Sequence, residues 1–188
     1  TGVTKENAKA IFIYTGTGDC NENTAIETVK ANYKALVEKV AQKSPASKIY
    51  LMALCPTNNA NNNTSRIAVL NDYMKSIATG NIRYVDTYTP FLNGNVANTK
   101  YFYPSNYLGG LGYAKMANIM KDALLKDFPQ DTYNAATEEE AQARYTQAGL
   151  RNTLTQVIAN GLIAERGDAM GQYDPEKMAA FDAEITKA

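Results

Sequence analysis

The stretch Lys9–Asn23, KAIFIYTGTGDCNEN, constrains the fold more than any other part of the chain. Ala10, Ile11, Phe12, Ile13 and Tyr14 form a short run that is apolar at every position and rich in β-branched and aromatic residues. Such a run suits a strand buried on both faces of a parallel sheet. A glycine-broken turn, Thr15–Asp19, follows it and leads into a helical pattern. Two glycines and an aspartate at the C-terminal end of a strand stand where open α/β sheets keep their ligand sites.

Further units follow the same plan. Residues 24–42 read as a helix, with Ile26, Val29, Tyr33, Leu36, Val37 and Val40 on one face. Pro45 ends it, because the residue before proline is pushed out of the helical region. Residues 48–54, KIYLMAL, are a second strand that stops at Cys55-Pro56. The asparagine-dense loop 57–64, TNNANNNT, reads either as a solvated turn or as a ligand contact. Residues 65–78 carry Ile67, Leu70, Met74 and Ile77 on one face, with Gly80 closing the helix. Residues 81–88, NIRYVDTY, are a third strand; a polar and aromatic loop, 89–107, then precedes a helix over 111–128. Strand-helix units at this spacing predict an α/β fold, with right-handed crossovers and a parallel sheet covered by helices on both sides.

The character changes beyond residue 130, so two parts are expected, 1–130 and a helical appendage, 131–188. Thr137 and Glu140 form a capping box. The helix it opens carries Leu150, Leu154, Ile158 and Leu162 at four-residue steps, weakened at Gly149 and Gly161. Asp174-Pro175 is an N-cap followed by proline at the first helical position. Met178, Phe181 and Ile185 stripe the second helix of a hairpin.

What the chain lacks narrows its chemistry. It contains 19 basic and 19 acidic residues and no histidine. The balanced charge gives no footprint for nucleic acid or an anionic membrane surface. No apolar run reaches the roughly 18 residues of a membrane span. No signal-peptide pattern is read, so the chain is expected to be a soluble piece, mature or trimmed. Without histidine, the commonest general base and metal ligand is missing, so neither a Ser-His-Asp arrangement nor a zinc site of the usual kind is expected. No cofactor is expected either. Cys20 and Cys55, both beyond strand ends, read as a bridge or as two buried thiols.

The string Gly16-Thr17-Gly18-Asp19 ends the first strand. Pro104-Ser105-Asn106-Tyr107 precedes the helix start Leu108–Ala117, and RYVDTYTPF lies between them. In order and spacing these segments resemble the SGNH hydrolase family, the GDSL-type esterases and lipases, over about residues 8–128. The resemblance implies a flavodoxin-like three-layer sandwich, incomplete by the family's first strands, and ester hydrolysis as the family activity. It places Gly16, Gly18 and Asp19 on the family's GxND block, and Pro104 and Tyr107 on the aspartate and histidine of its DxxH block. The asparagine of GxND is Gly18 here. The serine and oxyanion-glycine blocks of the family precede these segments and find no match in the chain. A phenol, with an ordinary pKa near 10, does not replace imidazole as a base at neutral pH. No catalytic residue and no metal site is therefore assigned. Gly167–Pro175 nearly matches a GxxxGQYP loop and resembles helical modules of bacterial surface and polysaccharide-processing proteins; the bland alternative is an ordinary helical hairpin.

Two functions follow from this reading. The first is a degenerate domain that binds carbohydrate or a partner without catalysis, in a secreted protein at the cell surface or outside the cell. The second is a fragment of a GDSL-type (carbohydrate) esterase whose serine-bearing N-terminal part is missing, that segment or other domains of the parent completing it. Asp19, Asn58, Asn59, Tyr103 and Tyr107 are the candidate ligand residues. Asp19 reads alternatively as the N-cap of the following helix, and the tyrosines as a packed lid.

Overall fold

The computed structural model describes residues 8–104, 106–163 and 179. Three parallel strands, β1 (Ala10–Ile13), β2 (Lys48–Met52) and β3 (Ile82–Val85), pair in the order β1-β2-β3. Ile11 is in register with Ile49, and Ile49 with Ile82. Between the strands run α1 (Thr17–Asn21), α2 (Ile26–Lys43), α3 (Ala60–Asn62) and α4 (Ala68–Ile77). A single π-helical turn, Asn63–Ile67, joins α3 to α4. After β3 come a 3-10 turn (Thr89–Phe91) and a small antiparallel hairpin of β4 (Leu92–Asn93) and β5 (Val96–Ala97). The helices α5 (Gly110–Asp127) and α6 (Glu138–Ile163) complete the described chain.

Alternation along the strands builds three layers. Ile11, Ile13, Ile49 and Leu51 pack with Val29, Tyr33 and Val37 of α2 and with Leu70 and Met74 of α4. On the other face Met52 and the half-buried Phe12 pack with Met116, Ile119 and Met120 of α5. This is the α/β, flavodoxin-like sandwich. Burying each large aliphatic side chain contributes about 1.5–3 kcal/mol, so the two clusters dominate the fold's stability. β1 departs from the sequence expectation. Only its α2 face is fully buried, and Phe12 on the other face is half-covered, its ring stacked on Tyr50 at 4.6 Å. Among the described residues β1 pairs on one edge only, with β2.

Both cysteines are buried and free. They belong to different clusters, Cys20 to the α2/α4 side and Cys55 to the α5 side.

Two compact units divide the chain, Thr1–Ala141 and Gln142–Ala188, the boundary falling within α6. The predicted capping box is formed: Glu140 N–H donates to Thr137 Oγ1 at 3.1 Å, and Thr137 N–H to Glu140 Oε2 at 2.8 Å. α6 continues through Gly149 and Gly161. In the second unit, Leu150 is exposed on α6. The Gly167–Pro175 loop, Asp174 and the stripe of Met178, Phe181 and Ile185 lie outside the described residues.

Candidate functional site

Three segments meet beyond the C-terminal ends of the strands. The first leaves β1 through Gly16, whose φ of 115° is open to glycine alone at low cost. A Cβ there would also stand 3.0 Å from the Leu70 side chain. The turn drops directly into α1, and this corrects one expectation: Asp19 does not cap the following helix. It lies in the first turn of α1, where its charge favours the helix dipole, and the N-cap position of α2 is Ala25, which offers no side-chain cap. Arg66 instead fixes the far end of α1, donating from Nε to Cys20 C=O at 2.8 Å and from Nη2 to the carbonyls of Asp19 and Thr24. Gly18 is exposed, and a Cβ there would meet nothing within 4 Å.

The second segment, Ala53–Thr57, continues β2 and is wholly buried, so its backbone polar groups need internal partners. Asn71 of α4 acts as one clamp, accepting Leu54 N–H at 2.7 Å and donating to Leu54 C=O at 3.0 Å. Asn63 is the other. Its Oδ1 accepts from Thr57 N–H at 2.8 Å and from Thr57 Oγ1 at 2.9 Å, and its Nδ2 donates to the carbonyls of Thr57 and Asn95. Thr87 Oγ1 donates to Ala53 C=O. Cys55 N–H donates to Tyr14 Oη at 3.4 Å. Burial pushes the Cys55 thiol up to about 11, so it stays protonated near neutral pH and is no nucleophile there.

The third segment is a tight hairpin at residues 102–108. Phe102 and Leu108 form an antiparallel bridge. Inside it, Tyr103 N–H donates to Tyr107 C=O at 2.8 Å, and Asn106, at φ 64°, donates its N–H to Tyr103 C=O. Asparagine tolerates that left-handed turn. The hairpin is tied to the asparagine loop by two hydrogen bonds. Asn58 N–H donates to Asn106 Oδ1 at 2.8 Å, and Asn58 Nδ2 to Pro104 C=O at 3.3 Å. Beneath it Tyr101 and Phe102 are buried edge-on against Phe91, with ring centroids at 5.4 and 5.7 Å. Above it Tyr103 and Tyr107 remain 49% and 71% exposed. Gly112 permits this packing: a Cβ there would run into Tyr101 C=O and into the Leu108 side chain.

The candidate residues thus fall into separate groups. Asn58, Pro104, Tyr103 and Tyr107 share one tied surface. Asn59 caps α3, its side chain accepting Asn62 N–H at 3.0 Å. Asp19 opens instead onto a pocket of about 160 Å³ beside α2, with Thr15, Gly16, Tyr33 and Leu36. Among the described residues no group of three or more acidic, cysteine or histidine side chains could hold a metal ion. No helix among them is long and apolar enough to cross a membrane.

Sequence reasoning passed over Asn63, Asn71 and Arg66. A signal for the asparagines was present, since Asn63, Ile67 and Asn71 follow at four-residue steps, in phase with the buried face of the helix.

Against known proteins, residues 2–115 match the model of the GDSL-like Lipase/Acylhydrolase family. A solved structure described as a platelet activating factor from Streptococcus pneumonia aligns with a TM-score of 0.55 and 20% identity, covering 62% of this chain and 59% of that one. A second, described as an acylhydrolase from Bacteroides fragilis, aligns with a TM-score of 0.54 and 26% identity, covering 63% of this chain and 62% of that one. The chain therefore spans about three fifths of the length of either structure. No curated protein matches it.

Proposed function

Because this chain belongs to the GDSL-like lipase/acylhydrolase family, yet has no histidine with which to run such a hydrolase, we propose that it uses the family fold as a non-catalytic carbohydrate-binding surface. The observation that carries the reading is the 102–108 hairpin. In the sequence reading Pro104 and Tyr107 fall on the family's DxxH positions, and the hairpin joins Tyr103 to Tyr107 through their backbones and leaves both side chains exposed. Exposed aromatic faces on a rigid mount suit the apolar faces of sugar rings, since two stiff rings lose little conformational entropy on binding. The Asn58 side chain beside them supplies a polar group for sugar hydroxyls. Secretion and a cell-surface or extracellular location belong to the same proposal.

Turnover of p-nitrophenyl acetate measured beside glycan binding tests it. The expected result is no hydrolysis above buffer, unchanged in Tyr107→Phe, together with glycan binding. A robust turnover that Tyr107→Phe abolishes would overturn the proposal.

One observation favours a second reading, a hydrolase completed by a serine-bearing segment. The outer edge of β1 has no partner among the described residues, and Phe12 and Tyr14 beside it are incompletely covered. A complementing segment that restores esterase turnover when mixed with this chain would support that alternative.

A further inference from the structure

The β4–β5 hairpin carries a chemistry that the sugar-binding reading does not use. The chain has two Asn-Gly pairs, Asn93-Gly94 and Asn160-Gly161. Glycine after asparagine leaves the intervening peptide nitrogen unshielded by any Cβ, so that nitrogen can approach the asparagine side-chain carbon closely.

The fold treats the two pairs differently. Asn93 ends β4, in register with Val96, and Gly94 opens the turn to β5. Both Asn93 and Gly94 are exposed. Neither the Asn93 side chain nor the Gly94 N–H has a hydrogen-bond partner among the described residues. Gly94 stands at φ 60°, and a Cβ there would meet nothing within 4 Å. Each strand of the hairpin has 2 residues, so opening it locally breaks few hydrogen bonds. Gly161 lies inside α6, where its N–H belongs to the helical ladder.

We propose that Asn93 is a site of spontaneous deamidation, giving aspartate and isoaspartate at the tip of this hairpin. The Gly94 nitrogen, having given its proton to solvent base, attacks Asn93 Cγ. The new C–N bond closes a succinimide ring, the Cγ–Nδ2 bond breaks, and ammonia leaves with a proton taken from water. Water then opens the ring. Attack at Cγ gives aspartate; attack at the main-chain carbonyl gives isoaspartate, in which the chain runs on through Cβ and Cγ. Both products add a negative charge, and the iso form lengthens the main chain by a carbon. The hairpin is tied to the loop that leads to Asn58: Asn63 Nδ2 donates to Asn95 C=O at 2.8 Å, and Ala97 N–H to Thr57 C=O at 2.9 Å. The iso form therefore displaces a partner of the Asn63 clamp.

The test ages the full 188-residue chain in mildly alkaline buffer. Digestion and mass spectrometry follow, with electron-transfer fragmentation to separate aspartate from isoaspartate. The Asn93 peptide should exchange amide for acid, isoaspartate included, about tenfold faster than the Asn160 peptide, because the helix must open before Gly161 can react. Asn93→Gln, a change at an exposed position that keeps the fold, should abolish the reaction in its peptide. The aged wild type should also show shifted Asn63 side-chain amide resonances in NMR spectra, and aged Asn93→Gln should not. The inference is overturned by an Asn93 peptide that keeps its amide, by an Asn160 peptide that reacts as fast in the folded chain, or by Asn63 resonances that stay in place.

Discussion

Asn63 holds both backbone groups of Thr57: its side chain accepts the Thr57 N–H at 2.8 Å and donates to the Thr57 C=O at 2.7 Å. A fully buried amide thereby helps to satisfy the segment beyond the last pairing of β2, where the Thr57 C=O also accepts the Ala97 N–H at 2.9 Å, and it sets the path of the loop that carries Asn58. Asn63→Ala leaves the Thr57 N–H desolvated, at a cost of about 1–3 kcal/mol, removes the acceptor of the Thr57 hydroxyl, and empties a buried site. Urea unfolding should show a loss of roughly 2–4 kcal/mol.

Much of the fold is legible in the sequence. β2 stands out because Ile49–Met52 is a continuous apolar run, which suits a strand covered on both faces. The clamp was not legible, because asparagine is the commonest turn former and TNNANNNT reads as a loop. The role of Asn63 is decided by helix phase: the loop turns helical at Ala60, and that phase sends Asn63 inward. Asp19 was misread for a related reason, since Gly16 lets the chain turn at once into α1 and places the acid inside a helix.

Two glycines of one helix should behave oppositely. Gly112→Ala forces its methyl against Tyr101 C=O and within 2.7 Å of the Leu108 side chain. It should cost about 1–3 kcal/mol and loosen the 102–108 hairpin. Gly110→Ala meets nothing within 4 Å and should stabilise by a few tenths of a kcal/mol through helix propensity, at most ~1 kcal/mol. Thermal melts of the two variants check the contrast.

Acid should weaken the fold through two carboxylates. Partial burial pushes the Asp127 carboxyl up, but hydrogen bonds from Arg83 and Tyr50 and the charges of Arg83 and Lys48 outweigh it, so its pKa lies below the ordinary value. Glu138 is also held low, first by the hydrogen bond from Lys100 and then by Lys115. A depressed folded-state pKa gives stability that is present above the unfolded value, near 4, and lost as pH falls through the folded value. Urea midpoints should therefore hold between pH 7 and 5 and fall below about 4. Asp127→Asn should lower stability by about 1–2 kcal/mol at pH 7 and flatten that acid limb. An unchanged limb in this variant would place the acid sensitivity elsewhere.

We propose that the 102–108 hairpin binds sugar through Tyr103 and Tyr107. The most direct measurement is a glycan array probed with the wild-type chain and with Tyr103→Ala/Tyr107→Ala, both shown to be folded by circular dichroism. Both rings are largely exposed, so their removal should leave stability within about 0.5 kcal/mol. The wild type should mark a defined set of glycans, and the double variant should lose them. Binding that survives the removal of both rings, or a wild type that marks no glycan, would contradict it.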